Sequence, residues 1–583
     1  MNLRYFALSF IILVSIFINL AGSDWGIPGE TRKDLVMPKE LDNAAFYNFM
    51  VSARNDIYEN SGNSPLGRVK KDASGPADLT PIMKTMGVKT RENPVFYRNR
   101  TALSNFIRPY LLRSCHTDEQ MTIASLGGMR PEKLDFNPRI FQYGGAYIYS
   151  VGAWFACLKL AGILKLTTDL SFYFQNPVEM GKFFTAGRIM NSIFTSLSIL
   201  MLFIICKRFF TETAGLIAAL FFTLLPAVVI QQHIMKPYCM GTFFALSCLY
   251  FSILLSESGE SMKYYVLSGA CLGLTVASMP FYGLIAAAPL TVFAAGGRFK
   301  VKNIALFTVS ALSVFALTNP YWILDYKGLL SEVVSFTAVK GSGSGKFSDF
   351  IYYIFRQIPS GAPAGIILSF LGGIALFSAK PGKKERIILI SGVIPLLLSA
   401  WIWRSHNISI HNTRVLLPWL AILCIPSAVM FERLLSKNRV FAVSLVLLAA
   451  VTFQLSAASA VCVRNLINDT YRDSSRVTAG KWINENLPYG SSIGVFYFPE
   501  PSHVPPFNFI NYRLTVILNR DTFSNGPEYI IQTGKSDAET NAFLEANKYA
   551  LLRTFSRGAG IMGYSHDIGM SHINPGIRIF KRS

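Results

Sequence analysis

The chain has 583 residues, of which 51% are hydrophobic and 15% are charged; an ordinary soluble domain has roughly 25% charged residues. The mean hydropathy is +0.36, and 45 Phe and 25 Tyr are more than a soluble core of this size holds. These values exclude an ordinary soluble protein and indicate a polytopic membrane protein. The net charge of +21 is typical of basic cytoplasmic loops, since the Lys and Arg fall between apolar runs, and we expect no nucleic acid partner.

The chain begins with a short apolar run over residues 5–20. This run is consistent with a cleaved signal peptide or with a first transmembrane helix, and we interpret residues 1–21 as the helix. In both cases the chain emerges on the far side of the membrane. Residues 22–186 then form a large extracytoplasmic loop, which is polar at first and becomes apolar and aromatic over residues 141–164.

Ten further apolar runs follow, each long enough, or nearly so, to cross a hydrocarbon layer about 30 Å thick. They lie at about residues 187–206, 213–231, 239–256, 263–279, 281–297, 303–319, 363–379, 387–403, 415–432 and 440–461. Four basic clusters separate some of these runs, at Lys207-Arg208, Arg298 to Lys302, Lys380 to Arg386 and Arg433 to Arg439. The positive-inside rule places all four clusters in the cytoplasm.

This orientation is consistent only if residues 141–164 do not cross the membrane. We therefore predict that they form a helix at the outer interface, where Tyr143, Tyr147, Tyr149 and Trp154 suit the headgroup depth. The predicted fold is a polytopic α-helical membrane protein of about 11 spans. The first loop carries the interfacial helix and the remaining spans form a bundle; residues 187–463 are assigned to this bundle and residues 464–583 to a small extracytoplasmic α/β domain.

Two outer stretches have a readable local pattern. Residues 341–345 (GSGSG) predict a flexible linker, and residues 347–358 after it predict an amphipathic interfacial helix or lid. In the carboxyl-terminal domain, Arg476 to Asn486 predicts a helix. Strands are expected at residues 492–498, 528–532 and 576–580.

The order of several motifs resembles a known family. Asp118-Glu119 is followed by Met129, by Asn137-Pro138 and by the aromatic stretch from Phe141 to Tyr149. Further matching stretches are Gly187-Arg188, Gly215 to Ala219, Gly269 to Leu274, Asn319-Pro320 with Asp325, Arg414 to Pro418 and Thr478 to Ile493. This order resembles the GT-C-type glycosyltransferases that use polyprenyl-phosphate sugars, which include the protein O-mannosyltransferases and the aminoarabinose transferases acting on lipid A.

Two departures from that pattern are visible. Roughly ninety residues separate the first helix from the acidic pair, which the family usually places soon after it. The family also often has an Asp just outside the third span, where this chain has His233 to Tyr238. A second catalytic or metal-binding carboxylate is therefore in doubt.

The resemblance implies transfer of a sugar from a polyprenyl-phosphate donor to a lipid, glycan or protein acceptor on the extracytoplasmic side. It further implies an integral protein of the bilayer, in a bacterial inner membrane with its active site facing outward. Two other classes remain open: a transporter or flippase of envelope precursors, and a non-catalytic envelope assembly protein. Against a transporter, the sequence shows no repeated halves, and its spans are nearly free of charge.

Such a transfer needs a base for the proton of the acceptor hydroxyl and positive groups for the leaving phosphate. Asp118 is the candidate base, with Glu119 beside it as the second candidate catalytic residue. Arg414 is the first candidate for the phosphate, because a guanidinium contacts phosphate bidentately. The other candidate substrate-binding residues are Lys236, Arg404, His411, Asn137, Tyr143 and Tyr238.

Each of these residues also has a simpler interpretation. Adjacent acidic residues are commonly solvated loop carboxylates, and basic residues at helix ends commonly extend toward lipid headgroups. The eight Cys include no C-x-x-C pair, so neither a zinc site nor a disulfide framework is indicated. No cofactor is certain, and a divalent metal remains open without being indicated.

Overall fold

The computed structural model describes twelve stretches of the chain. These are residues 3–60, 93–96, 100–258, 261–295, 301–340, 346–379, 381–404, 410–470, 474–520, 526–534, 538–556 and 572–583. The linker predicted at residues 341–345 and the side chain of His411 lie outside the described part.

A long connecting segment separates the first helix, α1 (Leu3–Leu20), from the next long one, α8 (Pro177–Phe209). In its described residues, the connecting segment holds one strand, β1 (Val95–Phe96), and several shorter helices. These are α2 (Glu30–Val36), α3 (Ala44–Asn60), α4 (Arg100–Leu112), α5 (Glu119–Gly127), α6 (Gly145–Leu160) and α7 (Leu170–Gln175), with 3₁₀ turns at Lys39–Leu41 and Pro131–Lys133.

The bundle begins with α8 and ends at residue 468. Its other helices are α9 (Glu212–Thr223), α10 (Pro226–Gln232), α11 (Tyr238–Ser258), α12 (Met262–Ser278), α13 (Ala287–Ala295), α14 (Val301–Thr318), α15 (Pro320–Leu324), α16 (Tyr326–Lys340), α17 (Phe347–Tyr352), α18 (Ile358–Gly361), α19 (Ala364–Ala379), α20 (Lys383–Trp403), α21 (Leu417–Leu435) and α22 (Phe441–Asn468). A π turn lies at Tyr353–Gln357 and 3₁₀ turns lie at Pro280–Ala286 and Ile410–Leu416. Helices α8, α9, α11 and α21 supply much of one large apolar core.

Among the described residues, seven helices are long and apolar enough to cross a membrane, and two bent helix pairs raise the number to nine. The fold class of a multi-span helical membrane protein is confirmed, whereas the predicted count of 11 is not. The run predicted at residues 263–279 forms α12, which has 17 residues. The run predicted at residues 281–297 begins with a 3₁₀ turn and forms only a short apolar helical stretch, Pro280–Ala294. Because Pro280 lacks a backbone N–H, the helical ladder is interrupted between the two runs.

The two bent pairs show where proline redirects the bundle. Helices α9 and α10 meet at 61°, with Pro226 as the first residue of α10. The stretch from Phe347 to Gly361, which includes the predicted lid helix, meets α19 at 111°. Backbone groups freed at such breaks need partners when they lie at membrane depth. Ser459 supplies one, because its hydroxyl donates to the carbonyl of Leu224 at 2.6 Å.

Helix α6 occupies the stretch that hydropathy alone would assign to a span. It has 16 residues and is not among the candidate spans of the described chain. A Cβ at Gly144 would collide with the backbone oxygen of Ala277, so only glycine permits the close approach of α6 to the end of α12. Tyr147 is fully buried, and Trp154 donates to the carbonyl of Ala186 at 2.9 Å. These aromatic groups therefore pack against protein.

Where it is described, the carboxyl-terminal part forms a mixed sheet with the helices α23 (Ser475–Asn486) and α24 (Ala538–Ala546). Its strands are β2 (Ser492–Val495), β3 (Arg513–Val516), β4 (Tyr529–Thr533), β5 (Tyr549–Phe555) and β6 (Ile577–Arg582), with a 3₁₀ turn at Phe509–Asn511. The strand order is β1-β3-β2-β4-β6-β5. The pairs β2–β3 and β2–β4 are parallel, and the pairs β1–β3, β4–β6 and β5–β6 are antiparallel.

The helix predicted after residue 475 and the three predicted strands are confirmed, as α23, β2, β4 and β6. Strands β1, β3 and β5 were not predicted. The edge strand β1 comes from the connecting segment, and α3 and α4 share one buried core with α23 and the sheet. The connecting segment and the carboxyl-terminal part therefore fold together over one end of the bundle.

Candidate active site at the end of helix α8

Glu119 lies in the first turn of α5 and is completely buried. Its Oε1 accepts from Nε of Arg188 at 3.0 Å and from the backbone N–H of Met235 at 2.7 Å. Its Oε2 accepts from Nη2 of Arg188 at 2.7 Å and from the hydroxyl of Ser114 at 2.5 Å. All of this carboxylate's neighbours are thus protein donors, which is how a charge is tolerated away from water.

Arg188 connects Glu119 to the start of the chain. It is fully buried in α8, and its Nη1 donates to the carbonyls of Ser23 and Trp25, both at 2.8 Å. Its guanidinium also lies 4.8 Å from the ring of Trp25. A Cβ at the preceding Gly187 would collide with the side chain of Met235, so glycine allows the turn before α11 to lie directly on α8. We call Glu119, Arg188, Ser114 and Met235 the Glu119 cage.

Asp118, one residue earlier, has a different environment. Its side chain is 32% exposed and makes no cap hydrogen bond to α5. Its Oδ2 instead forms ion pairs with Nζ of Lys236 and, at 3.0 Å, with Nη1 of Arg414. Lys236 is 1% exposed and Arg414 is 18% exposed. We call Asp118, Lys236 and Arg414 the Asp118 cluster; it has two cations and one anion.

Aromatic rings surround the two cations. Nζ of Lys236 lies 5.7 Å from the ring of Tyr143 and 5.6 Å from the ring of Tyr238. The guanidinium of Arg414 lies 5.8 Å from the ring of Tyr238 and 5.8 Å from that of Trp403. Such rings exclude water while still favouring a positive charge, so each cation is held without full hydration. Four of the predicted substrate-binding residues, Lys236, Arg414, Tyr143 and Tyr238, therefore lie together beside Asp118 and Glu119.

The charges in the cluster shift its acid–base properties. Burial by itself raises the pKa of the Asp118 carboxyl, but the charges of Lys236, His116 and Arg414 outweigh it and hold that pKa well below its usual range. Burial lowers the pKa of Lys236 to about 7, and Arg414 adds to the shift while Asp118 opposes it. Asp118 is therefore ionised at neutral pH, and Lys236 is near the point at which it exchanges its proton.

The carboxyl-terminal part also borders the cluster. The ring of His572 lies 6.0 Å from that of His116 and 5.6 Å from that of His503. Burial lowers the pKa of His572 to about 3, with a smaller contribution from His503. His572 is consequently neutral at pH 7. The ring contact with His116, two residues before Asp118, brings a residue more than 450 positions away in the chain to the border of this site.

Of the other predicted substrate-binding residues, Asn137 and Arg404 lie outside the Asp118 cluster, and the side chain of His411 is not described. The amide of Asn137 donates to Oδ2 of Asp325 at 2.8 Å, so it joins the connecting segment to α15 and α16. Arg404 lies over the ring of Trp401 at 3.7 Å, at the end of α20. The side chain of His411 is outside the described residues. In the described part of the chain, no group of three or more His, Cys, Asp or Glu is arranged to hold a metal ion.

Sequence reasoning missed the importance of Arg188 and His572. Arg188 had a usable signal, because it is the one charged residue in the run at 187–206, and an ionisable residue in such a run needs a partner. His572 had none, since nothing local relates it to a carboxylate in the first part of the chain. The family resemblance includes Gly187-Arg188 but indicates no partner for Arg188.

Residues 179–323 match a family model described as dolichyl-phosphate-mannose-protein mannosyltransferase. The matched part contains Arg188 and Lys236, while Asp118 and Arg414 lie on either side of it. No curated protein matches the sequence.

Two solved structures are similar in part. The oligosaccharyltransferase of Archaeoglobus fulgidus, in complex with Zn and sulfate, is 15% identical, with a TM-score of 0.39. The alignment covers 64% of this chain but only 55% of that protein, so this chain spans about half of its length. ArnT from Cupriavidus metallidurans, bound to undecaprenyl phosphate, is 12% identical, with a TM-score of 0.45, and the alignment covers 81% of this chain and 95% of ArnT. The family match confirms the resemblance of this membrane protein to the GT-C glycosyltransferases, which the order of its motifs predicted.

Proposed function

We propose that the protein transfers a sugar from a polyprenyl-phosphate donor to an acceptor hydroxyl, with inversion at the anomeric carbon. The observation that carries the proposal is the Asp118 cluster. It places a partly exposed carboxylate against two cations that come from distant parts of the chain, 118 and 296 positions away. This arrangement supplies an acceptor for a proton and a positive surface for a phosphate in one place.

The chemistry follows from those charges. The acceptor oxygen attacks the anomeric carbon while Asp118 takes its proton, and the bond from that carbon to the phosphate oxygen breaks. Lys236 and Arg414 hold the negative charge that remains on the polyprenyl phosphate. A donor phosphate bound to both cations competes with Oδ2 of Asp118 for them. Its binding therefore weakens the ion pairs that keep the Asp118 pKa low and makes this carboxylate a better base.

Glu119 has a positioning role in this proposal. Its two oxygens are engaged by Arg188, Ser114 and Met235, and it has no exposed surface. The Glu119 cage joins α5, α8 and the turn that carries Lys236. It thereby sets the distance between Asp118 and Lys236.

The description of the matching family supports the donor class, since it specifies a sugar on dolichyl phosphate. The acceptor class follows from none of these observations and stays a lipid, glycan or protein. The site is proposed to face the outside of a bacterial inner membrane. Reporters fused after residues 184 and 464 should then be external, and one fused after residue 383 should be cytoplasmic.

The test uses the purified full chain and a synthetic polyprenyl-phosphate sugar. Release of polyprenyl phosphate, together with transfer to an added envelope extract, supports the proposal. Transport of the donor across sealed vesicles without cleavage would instead support the flippase alternative. Binding of envelope components with neither transport nor cleavage would support the assembly alternative.

A further inference from the structure

A second basic site lies where α6 ends and α8 begins. An open pocket of about 590 Å³ is bordered there by Lys159, Lys165 and Lys182. Glu179 is the one carboxylate in its lining, and it pairs with Lys182 at 2.6 Å. The pocket therefore carries a net positive charge, and none of its residues belongs to the Asp118 cluster or to the Glu119 cage.

The rim of this pocket is apolar and exposed. Leu160, the last residue of α6, is 87% exposed, and Ile163, on the turn that follows, is 54% exposed. Large apolar side chains beside lysines are typical of segments that enter the boundary between headgroups and acyl chains. Lys165 keeps its position at this rim, because its ammonium lies 3.9 Å from the ring of Phe172.

The length of α8 gives the depth of the pocket. This helix has 33 residues, and at 1.5 Å per residue it extends about 50 Å, which is longer than the hydrocarbon layer of about 30 Å. With Lys207 at the far interface, about 20 residues of helix reach the opposite interface near Gly187. Lys182 is then about 7 Å beyond the hydrocarbon, which is the level of lipid phosphates.

We propose that this pocket binds the phosphate of an anionic phospholipid from the leaflet next to the Asp118 cluster. The lysines pair with the negative charge of the headgroup phosphate, and the apolar rim contacts the first carbons of the acyl chains. The choice of a membrane lipid over a free anion rests on this rim, since a soluble phosphate has nothing to cover Leu160 and Ile163. The inference needs only a membrane-embedded chain, so it stands apart from the proposed sugar transfer.

The test is native mass spectrometry of the full chain in detergent, with added phosphatidylglycerol or phosphatidylcholine. The wild type should bind phosphatidylglycerol more tightly. The triple variant Lys159→Gln, Lys165→Gln, Lys182→Gln should lose roughly tenfold to hundredfold of that preference, because each lysine near an anionic surface contributes separately. A matched control removes three exposed lysines elsewhere, at Lys39, Lys133 and Lys481, and should keep the preference.

A second variant has the opposite expected sign. Glu179→Gln removes the only carboxylate in the pocket lining and should strengthen binding of phosphatidylglycerol. Three results would overturn the inference: unchanged lipid preference in the triple variant, equal binding of both lipids by the wild type, and displacement of the lipid by an equal concentration of inorganic phosphate. Thermal unfolding of each variant shows whether it is folded.

Discussion

The Glu119 cage and the Asp118 cluster begin at adjacent residues but differ in their burial and in how the carboxylate oxygens are hydrogen-bonded. The cage is fully buried, and each carboxylate oxygen receives two hydrogen bonds. The cluster is partly exposed, and both of its cations contact the same oxygen, Oδ2 of Asp118. A saturated carboxylate has no capacity left for substrate, whereas a carboxylate that shares one oxygen with two cations can be displaced by another anion.

This comparison shows why the neighbouring acids are not interchangeable. Successive residues of a helix point in directions about 100° apart. Glu119, the first residue of α5, therefore points toward α8, while Asp118, just before the helix, faces Lys236 and Arg414. Burying the ion pair between Glu119 and Arg188 costs desolvation free energy, and the pair fixes the positions of α5 and α8 relative to each other. The Asp118 cluster has two positive charges and one negative charge. The excess positive charge can bind a phosphate.

The largest expected effect is on the chemical step. Asp118→Asn should lower the transfer rate by about 10²–10⁴, because general-base assistance is lost. Binding of polyprenyl phosphate should be unchanged or tighter, since Asp118 no longer competes for the two cations. Single-turnover rates and donor binding on the purified variant measure both. Transfer near the wild-type rate would exclude Asp118 as the base.

The corresponding amide substitution in the Glu119 cage should mainly lower the stability of the fold. Glu119→Gln leaves the guanidinium of Arg188 buried without its counter-charge, which should cost about 3–5 kcal/mol of unfolding free energy. Thermal unfolding in detergent measures this loss. The double variant Glu119→Gln, Arg188→Met should recover part of it, because the unpaired charge is gone. A Glu119→Gln protein of wild-type stability with no activity would mean that Glu119 reacts directly.

Removal of one cation should affect donor binding. Arg414→Ala should weaken binding of the polyprenyl phosphate by roughly 10- to 100-fold, since a hydrogen bond to a charged group is worth about 1.5–3 kcal/mol. Arg414→Lys should recover part of the affinity and lose the bidentate geometry. Binding titrations with donor and with polyprenyl phosphate alone measure the effect. As a control, Arg139→Ala removes a cation that pairs with Asp135 outside the cluster and should leave affinity unchanged.

The smallest expected effect is a pH dependence. Because the pKa of Lys236 is lowered to about 7, this side chain is charged below pH 7 and increasingly neutral above it. Donor affinity should therefore fall as the pH rises above 7, by at most tenfold per pH unit. Lys236→Arg should keep its charge and bind independently of pH between 6 and 9. A pH dependence that persists in Lys236→Arg would assign the titration to another group.

Part of the fold was predictable because it depends on composition alone. Residues 187–206 lie within α8, and the run at residues 440–461 matches α22 except for Val440, which precedes the helix, since a long apolar run has few stable alternatives in hydrocarbon. The runs around Pro280 were overcounted, because hydropathy does not measure where a helix breaks. Strand β1 was not predicted, because its two residues pair with β3, more than 400 positions away, and no local pattern encodes that register.

The site divides in the same way. The membrane setting and the chemical types of the candidate groups, a carboxylate pair and several cations, follow from the sequence, because charge and hydropathy are properties of single residues. The pairing of Glu119 with Arg188, and of Asp118 with Lys236 and Arg414, is visible only in the folded chain. The reason is physical: burial, partners and shared charge arise when distant segments pack together, and these three factors give two adjacent acids different roles.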